Sequence, residues 1–354
     1  GKPFLRASAQ GSGGAGRKGD RQSEIGMASA TPIRKDSRFP GRESAPLMRL
    51  LTRALHGDHL AYCVVFVSAA SIVAVTALLV YELWTHSTLS VAKFGWNFFF
   101  TRTWDPIKGE FGALPFIYGT VVTSILALMF AIPLGVGAAI FLAELAPSKI
   151  SDPMTFLIEL LAAVPSVIIG LMGIFVLVPA LKSVMPALQS VFGFLPIFSG
   201  PFYGVSVLSA SVVLALMVVP FIISISREVL LAVPRDQREA ALALGATRWE
   251  STWQVVIPYA RTGIIGSIFL ALARALGETM AVTMVIGNSP KISASLLAPG
   301  YSIAAVIANE FTEATGDLYL SALIELGLVL FALSIIINGA ARLLILMTSA
   351  KGSK

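Results

Sequence analysis

Apolar residues fill this chain in long unbroken blocks rather than in alternating or heptad patterns. Six blocks, at roughly 61–83, 118–144, 154–181, 205–226, 262–288 and 319–346, reach the ~20 residues that a helix needs to cross a bilayer. Polar positions gather between them in short segments rich in charge, Gly and Pro. The pattern predicts an all-α integral membrane protein of six transmembrane helices, since a helix satisfies its own backbone in lipid. Ahead of the fourth block, FLPIFSGPFYG (194–204) reads as a loop or re-entrant turn.

Composition agrees and adds a direction. The 354 residues are 56% hydrophobic and only 13% charged, where a soluble domain carries about 25% charge. Mean hydropathy is +0.80. Of the 26 Lys and Arg, eleven lie in residues 1–60. Twenty fall in the N-terminal tail, 145–153, 227–261 and the end from Arg342 onward; the alternate segments 84–117, 182–204 and 289–318 hold five. By the positive-inside rule both termini are expected in the cytoplasm, and the basic tail needs no nucleic acid to explain it.

Residues 1–60 read as a disordered basic tail, 61–346 as the six-span domain and 347–354 as a short cytoplasmic end. Residues 1–26, which precede Met27, read as vector-derived or as an extended start. Their GSGGAGRKGD lacks the G-x-x-x-x-G-K-[ST] phosphate loop, because Arg17 stands where Lys is required. The chain is therefore not expected to hydrolyse a nucleotide or to act as an enzyme alone. Cys63 has no disulfide partner. His56, His59 and His86 are not at ligand spacing, so no metal or cofactor is expected in this chain. In segment 84–117, Trp96, Phe98, Phe99, Phe100 and Trp104 predict an aromatic belt at the headgroups, or else a docking surface for an external partner.

The polar segment AVPRDQREAALALGATRWESTWQVVIPYAR (232–261) predicts a helix–Gly–helix elbow, 236–244 and 247–256. Asp236 and Glu239 resemble a capping box after Pro234, and Gly245 suits the position after a helix end. Thr247 and Glu250 have capping-box spacing, and Pro258 is expected to end the second helix. From physics alone, a surface-lying linker and a dock for a cytosolic partner are equally open. Glu239-Ala240-Ala241-x3-Gly245-x9-Val255-x-Ile257-Pro258 resembles the EAA signature of importer permeases of the ATP-binding-cassette class, with Val and Ile replacing that pattern's Ile and Leu. The resemblance implies that Glu239, Ala240, Ala241, Gly245 and Pro258 belong to the contact with an ATPase subunit.

The fifth block contains ALARALGETMAVTMVIGN (271–288), with Arg274 about twelve residues in, roughly 18 Å deep at 1.5 Å per residue. A lone charge at such a depth costs about 2.5–3.5 kcal/mol on insertion scales. Spacing of i, i+4 predicts that Arg274 and Glu278 pair on one face, continued by Gly263, Ser267 and Ala271 as a small-residue stripe. One reading is a self-satisfied packing pair. The other is that Arg274 meets a tetrahedral oxyanion and Glu278 holds it when the path is empty.

RALGETMAVTMVIGN resembles the PstC-type permease subunits of phosphate-specific importers, as do FGALPFIYGT, AAVPSVIIG, FSGPFYG and ANEFTEA. The likeness covers about residues 90–345. It implies a bacterial inner-membrane permease of the type I-like ABC importer architecture, carrying phosphate past Arg274 and Glu278. Implied partners are a sister permease of the PstA type, a dimeric PstB-type ATPase that binds ATP and Mg, and an external PstS-type phosphate-binding protein. Thr279, inside the motif, and Ser166, behind Pro165, join the expected pathway. Ile169 departs from the pattern, since such chains often carry Tyr there; that residue either contacts substrate or packs. Glu144 and Glu159 are expected at the interface, and Asn309, Glu310 and Glu313 at the outer mouth. Glu325 and Asn338 are expected to bond across helices. The alternatives are a permease for sulfate or molybdate, or a proton-coupled anion carrier using Glu278.

Overall fold

The computed structural model describes residues 57–350; the expectations for most of the basic tail, for His56 and for the last four residues lie outside the described residues. The chain divides into two compact units, 1–67 and 68–354. In the first, the described part is the opening of one long helix, α1 (Gly57–His86).

The second unit continues with α2 (Thr88–Phe94), a 3-10 turn (Gly95–Phe99) and α3 (Leu114–Ile140). Then come α4 (Ser148–Ala162), α5 (Ser166–Met172), α6 (Val178–Phe192) and α7 (Val207–Leu231). The elbow holds α8 (Arg235–Ala243) and α9 (Arg248–Ser251), followed by α10 (Ile257–Gly277), α11 (Met280–Ile286), α12 (Ile303–Glu310) and α13 (Asp317–Ala350). Among the described residues six stretches are long and apolar enough to cross a membrane: Ala61–His86, Leu114–Leu145, Ser166–Phe192, Val207–Leu231, Arg248–Gly277 and Asp317–Leu343.

Two of these differ from the apolar blocks. The block 154–181 is not one helix. Pro165, at ψ 136°, turns the chain, so α4 ends ahead of it and the span starts at Ser166. The block 262–288 is likewise divided: its span begins earlier, at Arg248, and ends at Gly277. Pro258 does not end the second elbow helix. A π turn over Thr252–Val256 runs straight into α10, with the Ile257 amide donating to Thr252 O. The wider turn makes room for the proline ring, which clashes in a regular helix interior. The π turns at Phe141–Leu145 and Gly173–Leu177 likewise stand two residues before a proline, Pro147 and Pro179.

The main apolar cluster is built around α7. Val213, Leu214, Val218 and Ile222 pack against Ala127 and Ala131 of α3, Ala271 and Ala275 of α10, and Ala281 and Val285 of α11. Alanines at these contacts let the backbones approach closely. Ile169 lies buried in this cluster, so at that position this chain packs.

A second cluster corrects the expected aromatic belt. Phe98 and Trp104 are buried with Phe111, Phe116 and Tyr301 against Leu323 and Leu326. The 105–110 turn, closed by the Asp105–Glu110 bridge, folds Trp104 back onto Phe111 and Phe116, each at 4.8 Å between ring centroids. Its Nε1 donates to Glu310 Oε2 at 2.8 Å, and Tyr319 Oη donates to the same oxygen at 2.6 Å. Asn309 donates to Tyr301 Oη at 3.2 Å, and burial pushes that phenol up to about 12. Asn309 and Glu310 thus have internal partners, whereas Glu313 is exposed. Trp96 and Phe100 keep the exposure expected of the belt. Asn338 does not bond across helices; it donates to Ser334 O of its own helix.

Candidate functional site: an unpaired arginine at a helix break and a docking elbow

Arg274 stands in the last turn of α10, about 26 Å along the helix from Ile257 at 1.5 Å per residue. The pairing expected from its spacing to Glu278 does not form. The helix stops at Gly277, and Glu278 is extended at φ −71°, ψ 126°. Spacing of i, i+4 brings side chains together only on a continuous helix. Here the break turns Glu278 onto the next element, where its Oε1 accepts from the Ala281 amide at 3.3 Å and caps α11. Thr279, at φ −110°, ψ −64°, completes the break, and its carbonyl receives both the amide and the hydroxyl of Thr283.

The expected stripe also divides. Ser267 and Ala271 are buried, and Ser267 shares a 2.7 Å hydroxyl–hydroxyl bond with Ser226 of α7. Gly263 presses against Val229. Arg274 lies on another face, with Gly266, Leu270 and Gly277. Leu270 and Arg274 are exposed, and both glycines border open space. Among the described residues Arg274 forms no ion pair. Its guanidinium sits 5.7 Å from the Phe221 ring centroid, within cation–π range.

Arginine stays protonated at any ordinary pH. Lipid cannot satisfy such a charge, and irregular backbone at membrane depth persists only where it is buried in protein or lines a watery cavity. The exposed face Gly266–Leu270–Arg274–Gly277 therefore suits water, a ligand or another chain better than lipid. Ser166 opens α5 and is partly buried. Its helix packs on α11 so tightly that a Cβ at Gly170 would stand 2.7 Å from Met284 Sδ. The fold thus places the Ser166 and Thr279 helices side by side, with no hydrogen bond joining either residue to Arg274.

The elbow forms nearly as the sequence predicts. Gly245 follows α8 with φ +91°, a conformation that L side chains rarely adopt. The Gly245 amide donates to Leu242 O and that of Ala246 to Ala241 O, the two bonds of a Schellman end. Thr247 and Glu250 make the reciprocal capping box. The Asp236–Glu239 box does not form, because Pro234 is the N-cap and no side chain caps the helix. Glu239, Ala240, Gly245 and Pro258 are exposed and Ala241 partly so. Beside them Leu242, Leu244, Trp249 and Trp253 are exposed too, the two indoles meeting edge to face at 5.6 Å. Apolar surface gathered beside these charged residues is the composition of a contact with a protein or with the membrane surface.

One pair escaped the sequence entirely. Glu144, expected merely at the interface, is bound by Arg238 of α8, with Nη2 at 2.8 Å from Oε1 and Nε at 3.2 Å from both oxygens. The two residues are 94 positions apart, and no local pattern announces them. Glu159 is exposed.

Residues 131–346 match the model of the binding-protein-dependent transport system inner membrane component family. The phosphate transport system permease protein PstC of Mesorhizobium japonicum is 48% identical over 275 residues, 76% of this chain and 84% of that one. The protein of the same name from Xylella fastidiosa is 50% identical over 262 residues, covering 73% and 81%. Among solved structures, a chain of the MetNI methionine ABC transporter in an inward-facing conformation aligns with a TM-score of 0.48 and 16% identity, over 69% of this chain and 98% of that chain. By the family match and by identity sustained over most of its length, the chain belongs to the binding-protein-dependent transport system inner membrane components, a family of multi-pass permeases.

Proposed function

We propose that this chain is a membrane-spanning permease subunit of an ATP-driven phosphate importer, lining half of the path and coupling to a cytosolic ATPase through the 235–256 elbow. The observation that carries this reading is the unpaired Arg274 on an exposed face beside a helix break, in a chain nearly half identical to proteins named for phosphate transport. A guanidinium presents a planar fork of donors that fits a tetrahedral oxyanion. Glu278 and Thr279 shape the break, and Ser166 borders it from the neighbouring helix. Glu239, Ala240, Ala241 and Gly245, with Pro258 at the span entrance, form the ATPase contact.

The partners are a PstA-like permease, a PstB-like ATPase dimer that supplies ATP and Mg, and a PstS-like phosphate-binding protein. Both termini lie on the cytoplasmic side of a bacterial inner membrane, on the side of the elbow. All nucleotide chemistry then belongs to the partner ATPase, and this chain contributes the route and the lever.

The test is uptake of labelled phosphate by cells lacking their own high-affinity importer and supplied with this chain and its partner subunits. The expected result is ATP-dependent uptake that sulfate and molybdate do not compete away and that Arg274→Gln abolishes while the complex still assembles. Uptake of sulfate or molybdate instead would change the substrate. Unchanged phosphate uptake by Arg274→Gln would return Arg274 to a packing role.

A further inference from the structure

Helix α8 buries none of its own residues. It joins α7 through Ala232–Pro234 and leans on the Thr252–Val256 turn that leads into α10, so movement of the elbow reaches α7 and α10 along the chain itself. It has no such route to α3. There Arg238 supplies one. Besides its fork on Glu144, Arg238 donates from Nη2 to Leu230 O at 2.7 Å and from Nη1 to Val233 O at 2.6 Å. Leu230 lies in the last turn of α7, and its carbonyl also accepts from the Val233 amide at 3.2 Å. Glu144 lies in the π turn that finishes the second span. One guanidinium therefore ties the elbow to the ends of both α7 and α3, the two helices that share the main cluster.

The side chains of this ion pair are only 20% and 9% exposed. Apolar contact also joins the end of α3 to the elbow: Leu142 clusters with Val233 and Val256. Apolar contact is non-directional, so those side chains can slide. A bidentate charged fork fixes both distance and orientation.

We propose that the Arg238–Glu144 ion pair carries movement of the ATPase-docking elbow into α3, which makes both residues positioning residues for energy coupling. The proposal rests on the importer reading. It predicts that a permease without the pair lets its ATPase turn over while the path no longer follows.

The decisive variant is Glu144→Ala, which leaves Arg238 its two carbonyl bonds and cuts only the link to α3. The full complex is reconstituted in liposomes, and ATP hydrolysis is measured beside uptake. A third readout needs no substrate: Leu270→Cys, in a Cys63→Ser background, places a thiol on the Arg274 face, and its labelling by an impermeant maleimide is compared with and without ATP and vanadate. For Glu144→Ala, hydrolysis is expected within about twofold of the intact pair while uptake per ATP falls about tenfold or more, and labelling stops responding to ATP. Glu144→Asp should recover part of the response and the neutral Glu144→Gln little of it.

Parallel loss of hydrolysis, uptake and assembly would overturn the proposal in favour of a purely structural pair. So would an unchanged response in both Glu144→Ala and Glu144→Gln. If the intact complex moves the thiol with ATP but takes up no phosphate, the assigned substrate fails and the coupling proposal stands. If labelling in the intact complex ignores ATP, the importer reading fails and takes the proposal with it.

Discussion

Two Arg–Glu combinations mark the two ends of this molecule's work, and they reverse what their spacing suggests. Arg274 and Glu278 are four residues apart and do not meet. Arg238 and Glu144 are 94 positions apart and share a bidentate contact. The difference lies in the backbone between them. A helix break at Glu278–Thr279 gives Glu278 an amide to cap and leaves Arg274 facing open space. At the elbow, Arg238 on α8 reaches Glu144 in the π turn that ends the second span. An unpaired cation in a span is expensive, and such charges commonly mark ion or substrate paths. A partly buried pair with a bond on every guanidinium nitrogen fixes geometry.

The largest expected effect is on the free arginine. Arg274→Gln should lower uptake about a hundredfold, the loss of about 3 kcal/mol of charge-assisted bonding, with assembly unchanged. Glu278→Gln keeps an acceptor for the Ala281 amide and should lower uptake only several-fold. A double-mutant cycle on uptake settles whether the two act together. Equal single losses with a double no worse than either would mean that they pair during transport.

At the other end, Gly245→Val should strain the elbow by about 1–2 kcal/mol, since φ +91° places a Cβ against the following carbonyl. No neighbour lies within 4 Å of that Cβ, so the effect is one of backbone alone. Co-purification of the ATPase with the permease checks it, and undiminished recovery would mean that the elbow adapts. A contrast within α10 is of similar size. Gly263→Ala overlaps the Val229 side chain and should lower thermal stability by about 1–3 kcal/mol, whereas Gly266→Ala enters open space and should raise it by about 0.5–1 kcal/mol, the gain of Ala over Gly inside a helix. Equal effects would erase the division of α10 into a buried and an exposed face.

Much of this architecture was legible in the sequence. Six apolar blocks and the Thr247–Glu250 and Gly245 signals are all local, and local signals survive folding. What failed were extrapolations of regularity. The apolar block across Pro165 continued in composition but not in backbone, because hydropathy does not register a fixed φ. The stripe Gly263, Ser267, Ala271, Arg274, Glu278 assumed one uninterrupted helix, and neither Glu278 nor Thr279 is a helix breaker by type. Trp104 looked like an interfacial anchor until the 105–110 turn returned it to Phe111. Glu144 could not have been found, since its partner lies across the fold.

The smallest expected effect is on the elbow's cap. Glu250 accepts from both the amide and the hydroxyl of Thr247, and its own amide donates back to Thr247 Oγ1 at 3.3 Å. Thr247→Ala removes the hydroxyl half of this box and should cost about 0.5–1 kcal/mol of local stability. Recovery of the ATPase with the permease should therefore fall less than with Gly245→Val. A loss as large as that of Gly245→Val would mean that the Thr247 hydroxyl matters beyond capping, because the strain at Gly245 distorts the whole turn and the missing hydroxyl only one bond of it.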